Sequence, residues 1–256
     1  MKNKKQRLLA EAINSPLPNE NTYLKDRSPI IPQRSKLRST LHVYQRDLTP
    51  KQKEFLELAS SKDTKLIFVS GPAGTSKTYL AIKVALEMIS AKRVSDLIYV
   101  RSAVESSDAK LGFLPGEADE KMAPYIKPLL DKLEEFLPKA DIDILMKEER
   151  VSATPVGFLR GLSWNAKVII GDECQNMTYK ELFTLITRIG EFSKVFILGD
   201  PEQPDINGKS GFIKMISHFD DEESRQNGIH VFRFGEEDIV RSGLVQFIIR
   251  KVKKMV

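Results

Sequence analysis

Residues 71–78 read Gly71-Pro72-Ala73-Gly74-Thr75-Ser76-Lys77-Thr78 and separate an apolar run at 66–69 from a helical pattern that continues to residue 90. A glycine, four residues, a second glycine, a lysine and a serine or threonine form the pattern of a phosphate-binding loop; here Ser76 stands at the second glycine. Because this loop leaves a strand and opens a helix, its backbone N–H groups and the positive helix end point at an anion. The pattern predicts a phosphate-binding loop. The alternative is a glycine-rich turn with a surface lysine.

The residue types in this loop suggest separate roles. Gly71 and Gly74 supply a permissive backbone. Lys77 is expected to reach the β- and γ-phosphates of a nucleotide, and the Thr78 hydroxyl is expected to ligate Mg²⁺. Ser76 places a small side chain where glycine is usual, so we expect lower affinity or turnover.

Two carboxylates follow a second apolar run. Residues 168–170 are Val-Ile-Ile, and Asp172 and Glu173 come directly after Gly171. Strand ends are where α/β sheets place ligand chemistry. We expect Asp172 to hold the magnesium ion and Glu173 to orient and deprotonate an attacking water. The alternative is a solvated acidic loop.

A further apolar run ends in Gly199-Asp200-Pro201-Glu202-Gln203. A neutral amide beyond a strand suits the sensing of a γ-phosphate, as switch glutamines do. Gln203 is the residue that we predict for this role, and an ordinary Gly-Asp-Pro turn is the alternative.

Apolar runs alternate with helical patterns along the chain. The runs at 66–69, 97–100, 168–170 and 195–198 are typical of buried parallel strands. Helical patterns are predicted at 78–90, 121–136 and 179–189, and a first helix is predicted from Thr49-Pro50, with a capping box to Gln52, to about residue 60. This order predicts an α/β fold with a mainly parallel sheet covered on both faces.

Charge divides the chain into a tail and a domain. The net charge is +5, yet residues 1–45 hold nine Lys/Arg and three Asp/Glu, so the whole basic excess lies there. We predict a basic, extended or disordered tail at 1–46 and a single domain at 47–256. The tail could bind nucleic acid or an acidic partner, or it could be a solvated leader.

Composition also excludes several protein classes. The single cysteine, Cys174, excludes internal disulfides, and no apolar run approaches the ~20 residues of a membrane span. A cytoplasmic location without membrane contact follows as a prediction. The histidines lack metal-ligand spacing, so we predict no metal other than Mg²⁺. Trp164 is expected to pack beside the strand at 168–170 rather than to stack on a base, and the apolar spacing of residues 244–252 predicts a docked terminal helix.

Together these residues resemble the PhoH family, the phosphate-starvation-inducible ATPases related to superfamily 1 helicases. The resemblance spans about residues 47–252. It rests on the loop at 71–78, Arg101-Ser102-Ala103-Val104-Glu105, the segment 111–116, Leu159-Arg160-Gly161, Asp172-Glu173-Cys174-Gln175-Asn176, Thr187-Arg188-Ile189-Gly190, Gly199-Asp200-Pro201-Glu202-Gln203 and Asp238-Ile239-Val240-Arg241. Departures are Ser76 for glycine, Cys174 for alanine and Ser102 for proline, of which Ser76 puts the catalytic rate in doubt. A short, tail-bearing member resembles those carried by bacteriophages, which would work in the host cytoplasm.

The resemblance implies a three-layer, RecA-like P-loop NTPase core that binds ATP and Mg²⁺. It also implies that Gln52 reads adenine. The competing local explanation is the capping box with Thr49, and one side chain can hardly do both well.

A superfamily 1 helicase carries two RecA domains, the second of which supplies an arginine to the γ-phosphate. The ordered part of this chain is expected to hold one, so we predict a ring-like homo-oligomer such as a hexamer, with the site at the subunit interface. Arg188, Arg241 and Arg160 are the candidate arginines. The alternative for each is an arginine in a structural ion pair.

Three functions fit these expectations. The first is an ATPase that acts on or is stimulated by RNA or single-stranded DNA, with the basic tail and the loop at 111–116 near a central channel. The second is an ATP-dependent switch or assembly protein that a protein partner reads, without nucleic-acid remodelling. The third is a nucleotide sensor that does not hydrolyse ATP, which becomes serious if Ser76 cripples turnover.

Overall fold

A computed structural model of the chain describes residues 41, 43–44, 46–102, 118–159, 164–203, 206, 208–241, 243–244, 247–248 and 251. Its helices are α1 (Pro50–Ser60), α2 (Lys77–Ser90), α3 (Ala118–Leu133), α4 (Lys139–Lys147), α5 (Tyr179–Ile186), α6 (Phe212–Phe219) and α7 (Glu222–Gln226). Its strands are β1 (Leu66–Ser70), β2 (Asp96–Arg101), β3 (Val151–Pro155), β4 (Lys167–Asp172), β5 (Lys194–Gly199) and β6 (Ile229–Arg233). Single 3₁₀ turns occupy Val156–Phe158, Cys174–Asn176 and Glu236–Asp238.

The six strands form one sheet in the order β3-β2-β4-β5-β1-β6, and every neighbouring pair is parallel. Alternate residues of each strand face opposite sides, as the period of two requires. In β1, Ile67 and Val69 join the core under α1 to α4, whereas Leu66 and Phe68 join the core under α5 and α6. The fold is therefore a three-layer α/β domain, as the sequence predicts.

The four predicted strands are confirmed and each is longer by one to three residues. Strands β3 and β6 were not predicted. They lie at the two edges of the sheet, and their central residues are only partly buried. An edge strand needs no continuous apolar run, so the signal that revealed the inner strands is absent from these two segments.

The predicted helices exist with shifted ends. Helix α2 matches its prediction closely, and α1 has its predicted capping box. Helix α3 runs at 118–133 instead of 121–136, and α5 ends at Ile186 instead of 189. Helices α4, α6 and α7 were not predicted.

The predicted docking of the C-terminal segment is wrong for the residues described. Positions 243, 244, 247, 248 and 251 are helical, but Leu244, Phe247 and Ile248 are 69%, 52% and 48% exposed. Helical spacing gives one apolar face but does not specify what covers it. Trp164, by contrast, is buried in the same core as Ile169 of β4, which agrees with its predicted packing role.

Packing begins shortly before the boundary predicted at residue 47. Leu41 is buried in the core under α1 to α4, and the Tyr44 amide donates to the Phe136 carbonyl at 2.9 Å. Residues 1–40, which make up most of the predicted tail, and the loop at 111–116 lie outside the described residues. Within the described part of the chain, no helix is long and apolar enough to cross a membrane.

The strand order brings the sequence motifs together. Strands β4, β5 and β1 are adjacent, and the segments after Asp172, Gly199 and Ser70 all leave from the carboxyl edge of the sheet. This is the edge at which parallel α/β sheets bind ligands.

Candidate nucleotide-binding site

The loop at 71–78 connects β1 to the start of α2, as predicted. Gly74 has φ +93°, and a Cβ there would lie 2.9 Å from Arg241 Cγ, so both backbone and space favour glycine. The Gly74 carbonyl accepts a hydrogen bond from the Val240 amide at 3.0 Å. The loop is therefore held in shape by the segment that follows β6.

The side chain of Lys77 folds back into the phosphate loop that precedes it in sequence. Its Nζ donates to the Gly71 carbonyl at 2.6 Å and to the Pro72 carbonyl at 3.0 Å. Burial lowers the pKa of Lys77, while the charges of Asp200, Asp172 and Glu173 act in the opposite direction. A phosphate entering the loop would compete with the two carbonyls for this ammonium group.

Thr78 and Asp172 meet across the edge of the sheet. Thr78 Oγ1 donates to Asp172 Oδ1 at 3.0 Å, and the Glu173 amide donates to the same oxygen at 3.1 Å. The other carboxylate oxygen, Oδ2, accepts a hydrogen bond from the Tyr99 hydroxyl. Tyr99 is buried in β2, and burial followed by the charge of Asp172 raises its pKa well above the usual range. Tyr99 therefore stays a neutral donor that fixes the Asp172 carboxylate.

Glu173 stands next to this pair in a left-handed backbone conformation, with φ +53°. Its Oε2 accepts a hydrogen bond from Gln175 Nε2 at 2.6 Å. Gln175 Oε1 accepts in turn from the Asp200 amide at 3.1 Å. One buried glutamine thus ties the carboxylate after β4 to the loop after β5.

Asp200 links the loops after β4 and β5 to the phosphate loop. Its Oδ2 accepts from the Ala73 amide of the phosphate loop at 3.0 Å, and its Oδ1 accepts from the Glu202 amide at 3.0 Å. The same loop carries Gln203, which is exposed and lines the cavity.

These groups surround a cavity of about 440 Å³, within the usual range for small-molecule sites. Of the residues predicted from sequence, it brings together Ala73, Gly74, Ser76, Lys77, Thr78, Asp172, Glu173, Gln203 and Arg241. It does not include Gly71, Pro72, Thr75, Gln52 or Arg188, and Arg160 lies outside the described residues.

Comparison with known proteins assigns this arrangement to a family. A family model described as "PhoH-like protein" matches residues 45–253. The chain belongs to the PhoH-like family. It is 35% identical over 206 residues to a PhoH-like protein of Mycobacterium tuberculosis, covering 80% of this chain and 56% of that relative. It is 35% identical over 208 residues to a PhoH-like protein of Bacillus subtilis (79% and 62%), and 35% identical over 199 residues to Protein PhoH of Escherichia coli (76% and 54%).

The PhoH-like chain spans about half the length of the curated relatives that it matches. Among solved structures it is similar to the Sulfolobus solfataricus SWI2/SNF2 ATPase core in complex with dsDNA, with a TM-score of 0.46, 14% identity and coverage of 79% of this chain and 47% of that one. It is also similar to a Pif1 helicase structure, with a TM-score of 0.35, 14% identity and coverage of 75% and 44%. The family, the parallel sheet and the phosphate loop together make this a three-layer α/β P-loop domain.

Arg241 lies in the cavity of its own PhoH-like chain, with its side chain against Gly74. That placement fits a contact with a nucleotide in the same chain rather than in a neighbouring one. Arg188 lies away from the cavity, at the end of α5, and its Nε is buried without a partner among the described residues.

Arg46 is a cavity residue that the sequence did not reveal. Its guanidinium carbon lies 3.4 Å from the centre of the Tyr79 ring, and Nη2 donates to Ser76 Oγ at 2.9 Å. Ser76 has φ +69°, a conformation that costs a non-glycine residue about 1–2 kcal/mol. The serine that replaces the family's glycine therefore has a partner of its own. No local pattern in the sequence links residues 46, 76 and 79.

Gln52 makes the capping box that competes with adenine recognition. Its side-chain Oε1 accepts a hydrogen bond from the Thr49 backbone amide at 3.2 Å, and the Gln52 backbone amide donates to Thr49 Oγ1 at 3.2 Å. The side chain is 1% exposed, and Nε2 has no hydrogen-bond partner in the described part of the chain. Of the Gln52 side-chain amide, only the acceptor Oε1 takes part in the capping box.

Cys174, the other departure from the family pattern near the site, is fully buried in the core under α5 and α6. Burial raises the pKa of its thiol well above the usual value, so it remains a neutral packing residue.

Proposed function

We propose that this PhoH-like chain binds ATP with Mg²⁺ and hydrolyses it, and that RNA or single-stranded DNA stimulates the hydrolysis. The observation that carries the proposal is the 3.0 Å contact between Thr78 Oγ1 and Asp172 Oδ1. It joins the phosphate loop to the acidic strand end, 94 residues away in sequence, beside Lys77 and Glu173 in one cavity.

The side chains present fit magnesium. Mg²⁺ takes oxygen ligands, and it usually binds through one or two protein groups together with substrate phosphates and water. Thr78 and Asp172 offer one hydroxyl and one carboxylate at a single point of the cavity. When bound, the ion neutralises charge on the phosphate oxygens.

The chain's own groups would hold the triphosphate. Amides of residues 74–78, at the N-terminal end of α2, would face the anion. Lys77 would exchange its two loop carbonyls for phosphate oxygens, since a charged acceptor makes the stronger hydrogen bond.

Glu173 is the proposed general base. Its carboxylate borders the cavity next to Asp172, and the hydrogen bond from Gln175 sets its direction. Gln175 is thus a positioning residue. Gln203, on the loop that Gln175 also contacts, is proposed to sense the γ-phosphate.

Gln52 is proposed to read adenine through its unused donor, Nε2, while Oε1 keeps the helix cap. An unpaired buried donor costs about 1–3 kcal/mol, which N1 of adenine would recover as an acceptor, whereas N1 of guanine carries a hydrogen and cannot accept. Replacing Gln52 by Glu keeps the acceptor and removes the donor. We expect Gln52→Glu to reduce the preference for ATP over GTP in competition binding, and an unchanged preference would contradict the role.

We also propose a ring-like homo-oligomer in which an arginine acts in trans, with Arg188 as the candidate that the described residues support. Its unpartnered Nε outside the cavity is the supporting observation. Arg188→Ala and Glu173→Gln variants, each inactive alone, should regain hydrolysis when mixed, because some interfaces then combine two intact halves. No recovery on mixing, or a fast monomer in sizing with ATP and Mg²⁺, would contradict this assembly.

The nucleic-acid part of the proposal is tested by hydrolysis rates with and without a panel of RNA and DNA oligonucleotides. Stimulation that falls steeply with salt supports it. A flat response to all of them would favour the alternative, an ATP-dependent switch read by a protein partner. Normal ATP binding without phosphate release above the Glu173→Gln background would favour the non-hydrolysing sensor.

A further inference from the structure

Two aromatic side chains stand on the surface of α5, the helix that begins six residues after Glu173. Tyr179 and Phe183 are 57% and 50% exposed, although large aromatic residues normally bury most of their surface. Their ring centres lie 6.3 Å apart with an angle of 14° between the planes. The spacing is close to two base rises in a nucleic-acid strand, which are about 3.4 Å each.

Three exposed lysines lie on α5 or on the segments next to it. Lys180 is exposed on the same helix, and Lys214 is exposed on α6, which packs against α5. Lys209 is exposed next to Ser210, which forms a β-bridge with Thr178. None of the three forms an ion pair with a residue that the structure describes. We call Tyr179, Phe183, Lys180, Lys209 and Lys214 the aromatic–lysine surface.

Glu181 is the acidic residue nearest in sequence to the two rings, but its side chain does not face outward to neutralise the lysines. Glu181 Oε2 accepts from both the amide and the hydroxyl of Thr178, which keeps it in the capping box at the start of α5. The surface therefore pairs stackable rings with positive charge, rather than presenting a purely apolar face.

Short connections join this surface to the catalytic loops. Helix α5 begins six residues after Glu173, across the turn that holds Gln175. On the other side, the Gly211 amide donates to the Met177 carbonyl at 3.0 Å, which ties the chain following Gln203 to the start of α5. The surface is therefore connected through the backbone to both loops that border the cavity.

We propose that the aromatic–lysine surface binds single-stranded nucleic acid, with bases stacked on Tyr179 and Phe183 and phosphates near the three lysines. Stacking on aromatic rings combined with a positive surface is how sequence-independent single-strand binding is built. The inference deepens the proposed function and rests on its nucleic-acid part.

The test is fluorescence anisotropy of labelled oligothymidine and oligouridine with the full chain, in parallel with basal ATP hydrolysis. Tyr179→Ala with Phe183→Ala should weaken binding about 10-fold or more and remove stimulation. Basal hydrolysis should stay at the wild-type rate, because neither ring lines the cavity. Lys180→Gln with Lys214→Gln should lower the salt dependence by about one unit of slope per lysine. Comparing the affinities for the two oligonucleotides shows whether DNA or RNA binds more tightly.

Matched controls separate stacking from misfolding. Tyr179→Phe with Phe183→Tyr keeps two rings and should bind as the wild type does. Phe192→Ala and Lys62→Gln remove an exposed ring and an exposed lysine beside the amino ends of the strands and should change nothing.

The possible failures are distinct. If the wild type binds oligonucleotide and the double alanine variant binds equally well, the surface is wrong and the proposed function stands. If that variant binds equally well but elutes as a smaller species, the surface is instead a contact between copies of the chain. If the wild type binds no oligonucleotide, the nucleic-acid part of the proposed function fails first.

Discussion

The carboxyl and amino edges of the sheet both bury charged side chains, but in different surroundings. At the carboxyl edge, Asp172 at the end of β4 and Lys77 at the start of α2 border a cavity. At the amino edge, Lys194 donates to the carbonyls of Ala59 and Ser61 at the end of α1, and Lys167 pairs with Asp96. These amino-edge groups are occupied by fixed neighbours. Charged side chains that border a cavity therefore indicate a ligand site. Charged side chains that bind one another or nearby carbonyls instead stabilise the fold.

The largest expected effect separates the two edges with one lysine from each. Lys77→Ala should reduce ATP hydrolysis to the uncatalysed background with little change in melting temperature, because water in the cavity can replace Lys77 at the Gly71 and Pro72 carbonyls. Lys194→Met should leave the turnover number intact but lower the free energy of unfolding by about 1–3 kcal/mol, because two buried carbonyls lose their donor. Phosphate release and thermal unfolding of both variants check this. An unstable Lys77→Ala, or an inactive but stable Lys194→Met, would break the comparison.

The second-largest effect is expected at Glu173, the proposed general base at the carboxyl edge of the sheet. Glu173→Gln should lower the turnover number by about 10²- to 10⁴-fold while ATP still binds. Gln175→Ala should lower it less and should leave the affinity for ATP unchanged, because Gln175 acts through Glu173. Single-turnover hydrolysis with parallel binding measurements distinguishes the two. Equal activity of Glu173→Gln and wild type would remove Glu173 from the mechanism.

A smaller effect is expected at the serine that replaces glycine. Ser76→Gly relieves a left-handed conformation but loses the hydrogen bond from Arg46, so the free energy of unfolding should change by less than about 1 kcal/mol. Turnover should rise several-fold if the serine slows the loop. Arg46→Gln is the matched control, since it disturbs the same contact without changing the loop backbone. If Arg46→Gln reproduces the rise, the contact rather than the serine backbone sets the rate.

The smallest effect is a pH dependence at the amino edge. Burial, with a smaller contribution from Arg93, lowers the pKa of Lys194 from 10.5 to about 8. Between these two values the unfolded chain binds the proton that the folded chain has released, so the lysine's contribution to stability rises with pH. The melting temperature of wild type relative to Lys194→Met should therefore increase from about pH 8 towards pH 10. A constant difference across that range would contradict the lowered pKa.

The sequence predicted the centre of the molecule better than its margins. Strands β1, β2, β4 and β5 are continuous apolar runs, and the motifs follow three of them, so both fold and site could be inferred together. The edge strands β3 and β6 carry polar residues and escaped detection.

Contacts between distant residues could not be predicted in the same way. Tyr99 is 73 positions from Asp172, and Arg46 is 30 positions from Ser76, so no local spacing links either pair. The docked C-terminal helix was wrong for a related reason, because an apolar stripe does not identify its partner.

Calorimetric titration of the wild type with ATP, with and without Mg²⁺, tests the central claim most directly. If the phosphate loop, Lys77, Thr78 and Asp172 act as one site, ATP binds with a stoichiometry near one per chain, more tightly with Mg²⁺, and Lys77→Ala abolishes the heat. No uptake of ATP by the folded wild type in the presence of Mg²⁺, or equal uptake by Lys77→Ala, would contradict the account.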